Sequence, residues 1–164
     1  MRYCPGRAFP PYAFLPGRDP HPTRDPRGHS FGRGPEPALA LSPPRWREND
    51  DYLFGVDLFN HGFLWEAHEA WEGLWHAAKH DELQSFFLQG LIQCAAACLK
   101  VPMSQPAGLA RLSELGTEKL EHVARRHPAR FMGLDALGFA RDMRLYASSR
   151  PTSIEGRPLI ELEP

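Results

Sequence analysis

The chain has 164 residues, a formal net charge of −1, 42% hydrophobic residues and 24% charged residues. That length fits one domain around one modest core, and the near-neutral balance excludes a broad nucleic-acid-binding surface. No apolar run approaches the ~20 residues of a membrane span, and the N-terminus lacks the apolar stretch of a secretory signal. The expectation is a cytoplasmic protein with neither nucleic acid nor membrane as partner. Its three cysteines are too few for a disulfide framework. Cys94 and Cys98, four apart in CAAACLK, read as small buried apolar residues in a reducing compartment.

Residues 1–45 hold 11 of the 17 prolines and show no helical period. Such a composition cannot build a core of its own. Two readings stay open for this arm: disorder, or wrapping against the helical body. The stretch YAFLPGRDPHPTRDPRGHSFG keeps the second open beside the default of disorder, because it mixes aromatics with Arg, Asp and turn-forming Gly that a plain linker would not need.

From Trp46 to residue 148 the pattern is helical. In NDDYLFGVDLF, Asn49 to Asp51 are N-cap candidates, and Tyr52, Val56 and Phe59 recur at helical spacing. NHG at 60–62 ends that helix, and Asn60 or Gly62 could cap the next, which runs to about Ala78. Asp81 is the N-cap expected for ELQSFFLQGLIQCAAACLKV, whose apolar centre marks it as the buried helix. AGLARLSELGTEKLEHVARRH follows, with Leu109, Leu112, Leu115, Leu120 and Val123 on one stripe. LDALGFARDMRLYAS is a fifth helix, and residues 149–164 read as an irregular tail. Short connections favour antiparallel neighbours, so the expected fold is all-α: a single antiparallel helical bundle of about five helices with a Pro-rich N-terminal arm.

The second helix carries the chemistry. On a wheel of about 100° per residue, Leu64, Trp65, His68, Trp71, Glu72 and Trp75 fall within roughly 120°. Glu66, Glu69 and His76 lie on the other side. This places His68 and Glu72 one turn apart within a tryptophan face, where an imidazole and a carboxylate are costly to bury unless paired or bound. Three readings compete: a structural polar network, two ligands of one divalent metal ion, or a carboxylate base tuned by burial. Under the metal reading, His21 or His29 from the arm adds a ligand, and Glu69 or Glu66 serves as the base. Asn60, His61, Trp65, Trp71, Trp75, Gln89 and Gln93 would line the site. HEAWE resembles H-E-x-x-H only in part, because Glu72 replaces the second histidine. The E-x-x-H of di-iron bundles does not occur.

DLFNHGFLWEAHEAWEGLW followed by FLQGLIQCAAACLK resembles the domain-of-unknown-function 309 family. The shared signature falls on Phe59, Asn60, Gly62, Glu66, His68, Glu69, Trp71, Glu72 and Trp75, then on Gly90 to Gln93. The arm LPGRDPHPTRDPRGHS is similar to a leader found in a bacterial subgroup. The resemblance implies a small all-α fold, and the label of predicted metal-dependent hydrolase that the family sometimes carries. One departure stands before the fourth helix, where MSQPAGLA replaces the family's G-N-x-x-G-A turn. Two functions follow: a metal-dependent hydrolase acting on a small-molecule substrate, or a non-enzymatic helical module for homodimerisation or partner binding.

Overall fold

The computed structural model describes residues 2–34 and 37–164; positions 1, 35 and 36 of the expected arm lie outside the described residues. Five α-helices follow one another: α1 (Asp50–Asn60), α2 (Leu64–Ala77), α3 (Glu82–Leu99), α4 (Pro106–Arg126) and α5 (Ala136–Ser148). Each packs against the next in the chain. A 3-10 turn at Pro43–Glu48 leads into α1, and another at Ile154–Gly156 sits in the tail. Two isolated bridges, Phe131 with Leu134 and Leu134 with Leu162, are the only β pairing among the described residues. The fold is all-α, as the pattern predicts.

Local chemistry sets the helix starts. Asn49 Oδ1 accepts from Tyr52 N at 3.1 Å, and Asp81 Oδ1 accepts from Gln84 N at 2.9 Å. Each satisfies one of the unpaired amides of a first turn. The start of α2 differs from expectation. Its N-cap is Phe63, which makes no side-chain cap bond. Gly62 supplies the left-handed turn between α1 and α2, at φ +84°. Asn60 clamps the tail instead: its Nδ2 donates to Ile160 O at 2.9 Å and its Oδ1 accepts from Ile160 N at 2.8 Å.

The helix α3 occupies the centre, with Phe87, Leu91, Cys94, Ala95, Ala97 and Cys98 sealed from solvent. Burial pushes the Cys98 thiol up to about 12 and the Cys94 thiol higher still, so both behave as inert apolar groups. The core stripe of α4 departs from the sequence pattern. Leu112 and Leu115 are only partly buried, while Ser113, Gly116 and Thr117 face inward. The cause is a close crossing of α3 and α4. A Cβ at Gly116 would lie 2.9 Å from both Gly90 O and Cys94 Sγ, and one at Gly90 would lie 2.9 Å from Leu120. Large side chains cannot occupy that line, so the leucines move to its flanks.

The described arm residues lie against this body. Asp57, fully buried in α1, accepts from Tyr3 N at 2.7 Å and Cys4 N at 2.8 Å, and its Oδ2 lies 3.4 Å from Arg2 Nε. Arg7 reaches Asp51 at 2.7 Å and stacks over the Phe54 ring. Tyr3 Oη in turn accepts from Leu162 N at 3.0 Å, tying arm to tail.

The α3–α4 crossing yields a prediction. Gly116→Ala forces backbone atoms apart, so it should lower stability by about 1–3 kcal/mol in urea unfolding, although alanine is the better helix former. A variant as stable as the parent would show that the helices tolerate a wider spacing.

Candidate functional site

The inward line of α2 is Leu64, Ala67, Trp71, Leu74 and Ala78. It is rotated by roughly 80° from the sector expected on the wheel. Trp65 and Trp75 drew the predicted centre toward themselves, yet both are only partly buried. Trp71 alone of the three is fully buried; its Nε1 donates to Tyr52 O at 3.3 Å, and the ring lies where Gly55 leaves no side chain. The expectation of a buried His68–Glu72 pair is therefore corrected. The His68 and Glu72 side chains are 28% and 40% exposed. They sit on an open ridge with Glu69.

On that ridge the two ring nitrogens of His68 face different carboxylates. Nδ1 lies 3.3 Å from Glu69 Oε1, and Nε2 lies 3.8 Å from Glu72 Oε2. Among the described residues, His68, Glu69 and Glu72 form the one group able to offer a metal three ligand atoms, all within 4.8 Å of one another. Two donors that share an ion at about 2.1 Å can stand at most roughly 4.2 Å apart. The His68–Glu72 separation meets that limit as it stands.

Partial burial lowers the His68 pKa. The close contact with Glu69, the charge of Glu69 and the charge of Glu72 outweigh it, so the imidazole is raised above its ordinary value. A raised histidine pKa favours the protonated ring, and protons therefore compete with any metal for Nε2.

Glu66 has a different fate. It lies about 160° around the helix from His68, yet it is only 5% exposed. The arm covers it. Glu66 Oε1 accepts from Phe14 N at 2.9 Å and lies 3.0 Å from His29 Nε2. Its Oε2 is sealed from solvent without a hydrogen-bond partner among the described residues. His29 Nδ1 is 2.8 Å from Ser30 Oγ, and its ring packs on Tyr12. The arm histidine thus meets Glu66 and stands outside the His68 group. His21 packs edge-on against Phe14 and Trp65, with Nδ1 3.3 Å from Thr23 N, and is likewise outside that group.

The other candidate residues are dispersed. His61 Nδ1 bonds Asp57 O at 2.8 Å, and its ring rests on Phe9. Trp75 packs at a tilt against His76 and lies under Lys79 Nζ, while its Nε1 is buried without a partner among the described residues. Gln89 and Gln93 are partly buried on α3, and Gln93 Oε1 is also unpartnered. Two functional contacts escaped the sequence reading. Asp57 as an anchor had a signal, a lone acid inside the apolar run FGVDLF. Glu66 as an anchor had none, because its burial comes from a segment some 50 residues away in the chain (|i−j| = 52).

Two predictions follow. The His68 ring should titrate above about 6.5 in the folded chain, and Glu69→Gln should lower that midpoint in NMR titration. Because the folded pKa is raised, the stability it contributes is fully present below about pH 6.5 and fades as pH rises through the folded value. A midpoint unmoved by Glu69→Gln would remove Glu69 as the cause. In the second, Glu66→Ala strands the Phe14 amide and His29. It should speed tryptic cleavage at Arg18, Arg24 or Arg27 by about tenfold or more, matching the loss of a buried acceptor. Equal cleavage rates would mean that this carboxylate does not hold the arm.

No curated protein and no solved structure matches the chain. Residues 52–112 match the family described as Domain of unknown function (DUF309). That stretch runs from the first turn of α1 through α2 and α3 to the start of α4. The arm and α5 lie outside it. Over residues 52–112, which include the whole His68 ridge, the chain is similar to the DUF309 family.

Proposed function

We propose that the protein is a metal-dependent hydrolase whose divalent cation is held by His68 Nε2 and Glu72. The observation that carries this reading is the division of the His68 ring. Nδ1 faces Glu69 at 3.3 Å while Nε2 faces Glu72 at 3.8 Å. In metal sites a histidine ligand commonly gives its other ring N–H to a carboxylate, which fixes the tautomer and makes the ligating nitrogen more basic. Glu69 takes that orienting part here. Glu66 takes no part, since it faces the arm.

With two protein ligands, most coordination positions remain open to water and substrate. A bound ion would supply Lewis acidity, lowering the pKa of a coordinated water toward neutrality. The chain's own contribution is to aim Nε2 at Glu72, to hold the ring through Glu69, and to flank the ridge with the half-buried indoles of Trp65 and Trp75. These offer an apolar wall to a small organic substrate.

Calorimetric titration of the full chain with zinc or manganese, after chelator treatment, tests the site. One ion per chain is expected. His68→Ala and Glu72→Gln should abolish the binding, and Glu69→Gln should weaken it by about 10–100-fold. Affinity should also fall as pH drops through the raised His68 value. Absence of binding, or binding unchanged in both ligand variants, would overturn the reading.

The non-enzymatic alternative draws on α5, where Leu137 and Leu145 are 58% and 65% exposed. A helical module that docks a partner or a second copy would use such residues. Loss of self-association in a Leu137→Lys, Leu145→Lys variant, together with a chain that binds no metal, would favour that alternative.

A further inference from the structure

A cavity of about 690 Å³ opens between the turn joining α3 to α4 and the C-terminal end of α5. Its inner surface is apolar, formed in part by Val101, Leu109 and Ala147, with Val101 and Leu109 buried. Two cations line it, Lys100 before α4 and Arg150 after α5, and no Asp or Glu is among the lining residues. Neither cation pairs with a carboxylate among the described residues, so both charges are free to meet an anion in the cavity.

The local backbone leaves room for Lys100. Gly108 lies under Lys100, and a Cβ there would stand 3.1 Å from Lys100 Cγ and 3.2 Å from its Cδ. The lysine stem can therefore lie flat across the first turn of α4. Arg150 adopts φ +53° and Ser104, also lining the cavity, adopts φ +55°; both lie in the left-handed region that non-glycine residues seldom enter. Gln105 provides no side-chain cap to α4, so the partial positive charge of that helix start is not offset locally.

Small-molecule sites typically span about 300–1,000 Å³, with mostly apolar walls and a few polar groups that fix orientation. An apolar floor bearing two unpaired cations complements a molecule with one apolar body and one anionic head. We propose that this cavity binds a small organic carboxylate, its chain against Val101, Leu109 and Ala147 and its carboxylate between Lys100 and Arg150. The site is independent of the His68 ridge.

Decanoate is the probe. Titration into the full chain, followed by heteronuclear NMR and calorimetry, should show one saturable site. Shifts should concentrate at Val101, Leu109 and Ala147. The Lys100→Met, Arg150→Met double variant removes two exposed or partly exposed cations; its thermal unfolding midpoint checks that it folds as the parent does. Its affinity for decanoate should fall at least about tenfold. Decanol, with the chain but no charge, and inorganic phosphate, with charge but no chain, should each bind at least about tenfold more weakly than decanoate. No saturable decanoate binding would overturn the proposal. So would shifts elsewhere, equal binding of decanol or phosphate, or an unchanged affinity in the double variant.

Discussion

Two buried carboxylates hold this molecule in its observed form. Asp57 on α1 and Glu66 on α2 each accept backbone amides from an N-terminal segment that has no core of its own. A proline-rich chain lacks the periodic apolar surface to fold alone, so it needs fixed acceptors on a preformed surface. In return it brings Phe9 and Phe14 down onto the helices, where Phe9 packs on Phe54 and Phe63 and Phe14 packs on Trp65. The exchange is mutual, because an uncovered Asp57 or Glu66 would face solvent with no cost, and a covered one without donors would be strongly unfavourable.

This constraint divides the acidic residues of the second helix by task. Glu66, Glu69 and Glu72 all stand in one short motif and look alike on paper. The arm captures Glu66. Glu69 and Glu72 are left on the ridge beside His68, where they raise its pKa and face its two nitrogens separately. Chemistry proposed for the motif therefore rests on three residues of one helix.

Much of this was legible in the residues themselves. The five helices, the Asn49 and Asp81 caps and the central position of α3 all follow from local hydrogen bonding and period. The face of α2 was not. Averaging over tryptophans misplaced it, because a tryptophan can be half-buried at the margin while an alanine such as Ala67 or Ala78 lies at the centre. The inward line of α4 was misread for the opposite reason. Leucines mark apolar surface, but at the tightest crossing only Gly90 and Gly116 let the backbones meet.

The sequence by itself determined the fold class, the helix order and the family signature, since helix formation and capping depend on neighbours within about four residues. It also placed His68 and Glu72 one turn apart. Only the tertiary structure decided which side of α2 faces water, which carboxylate the arm would seal, and that Lys100 and Arg150 would face one cavity from distant parts of the chain. Those outcomes depend on contacts between segments far apart in sequence, and no local period encodes them.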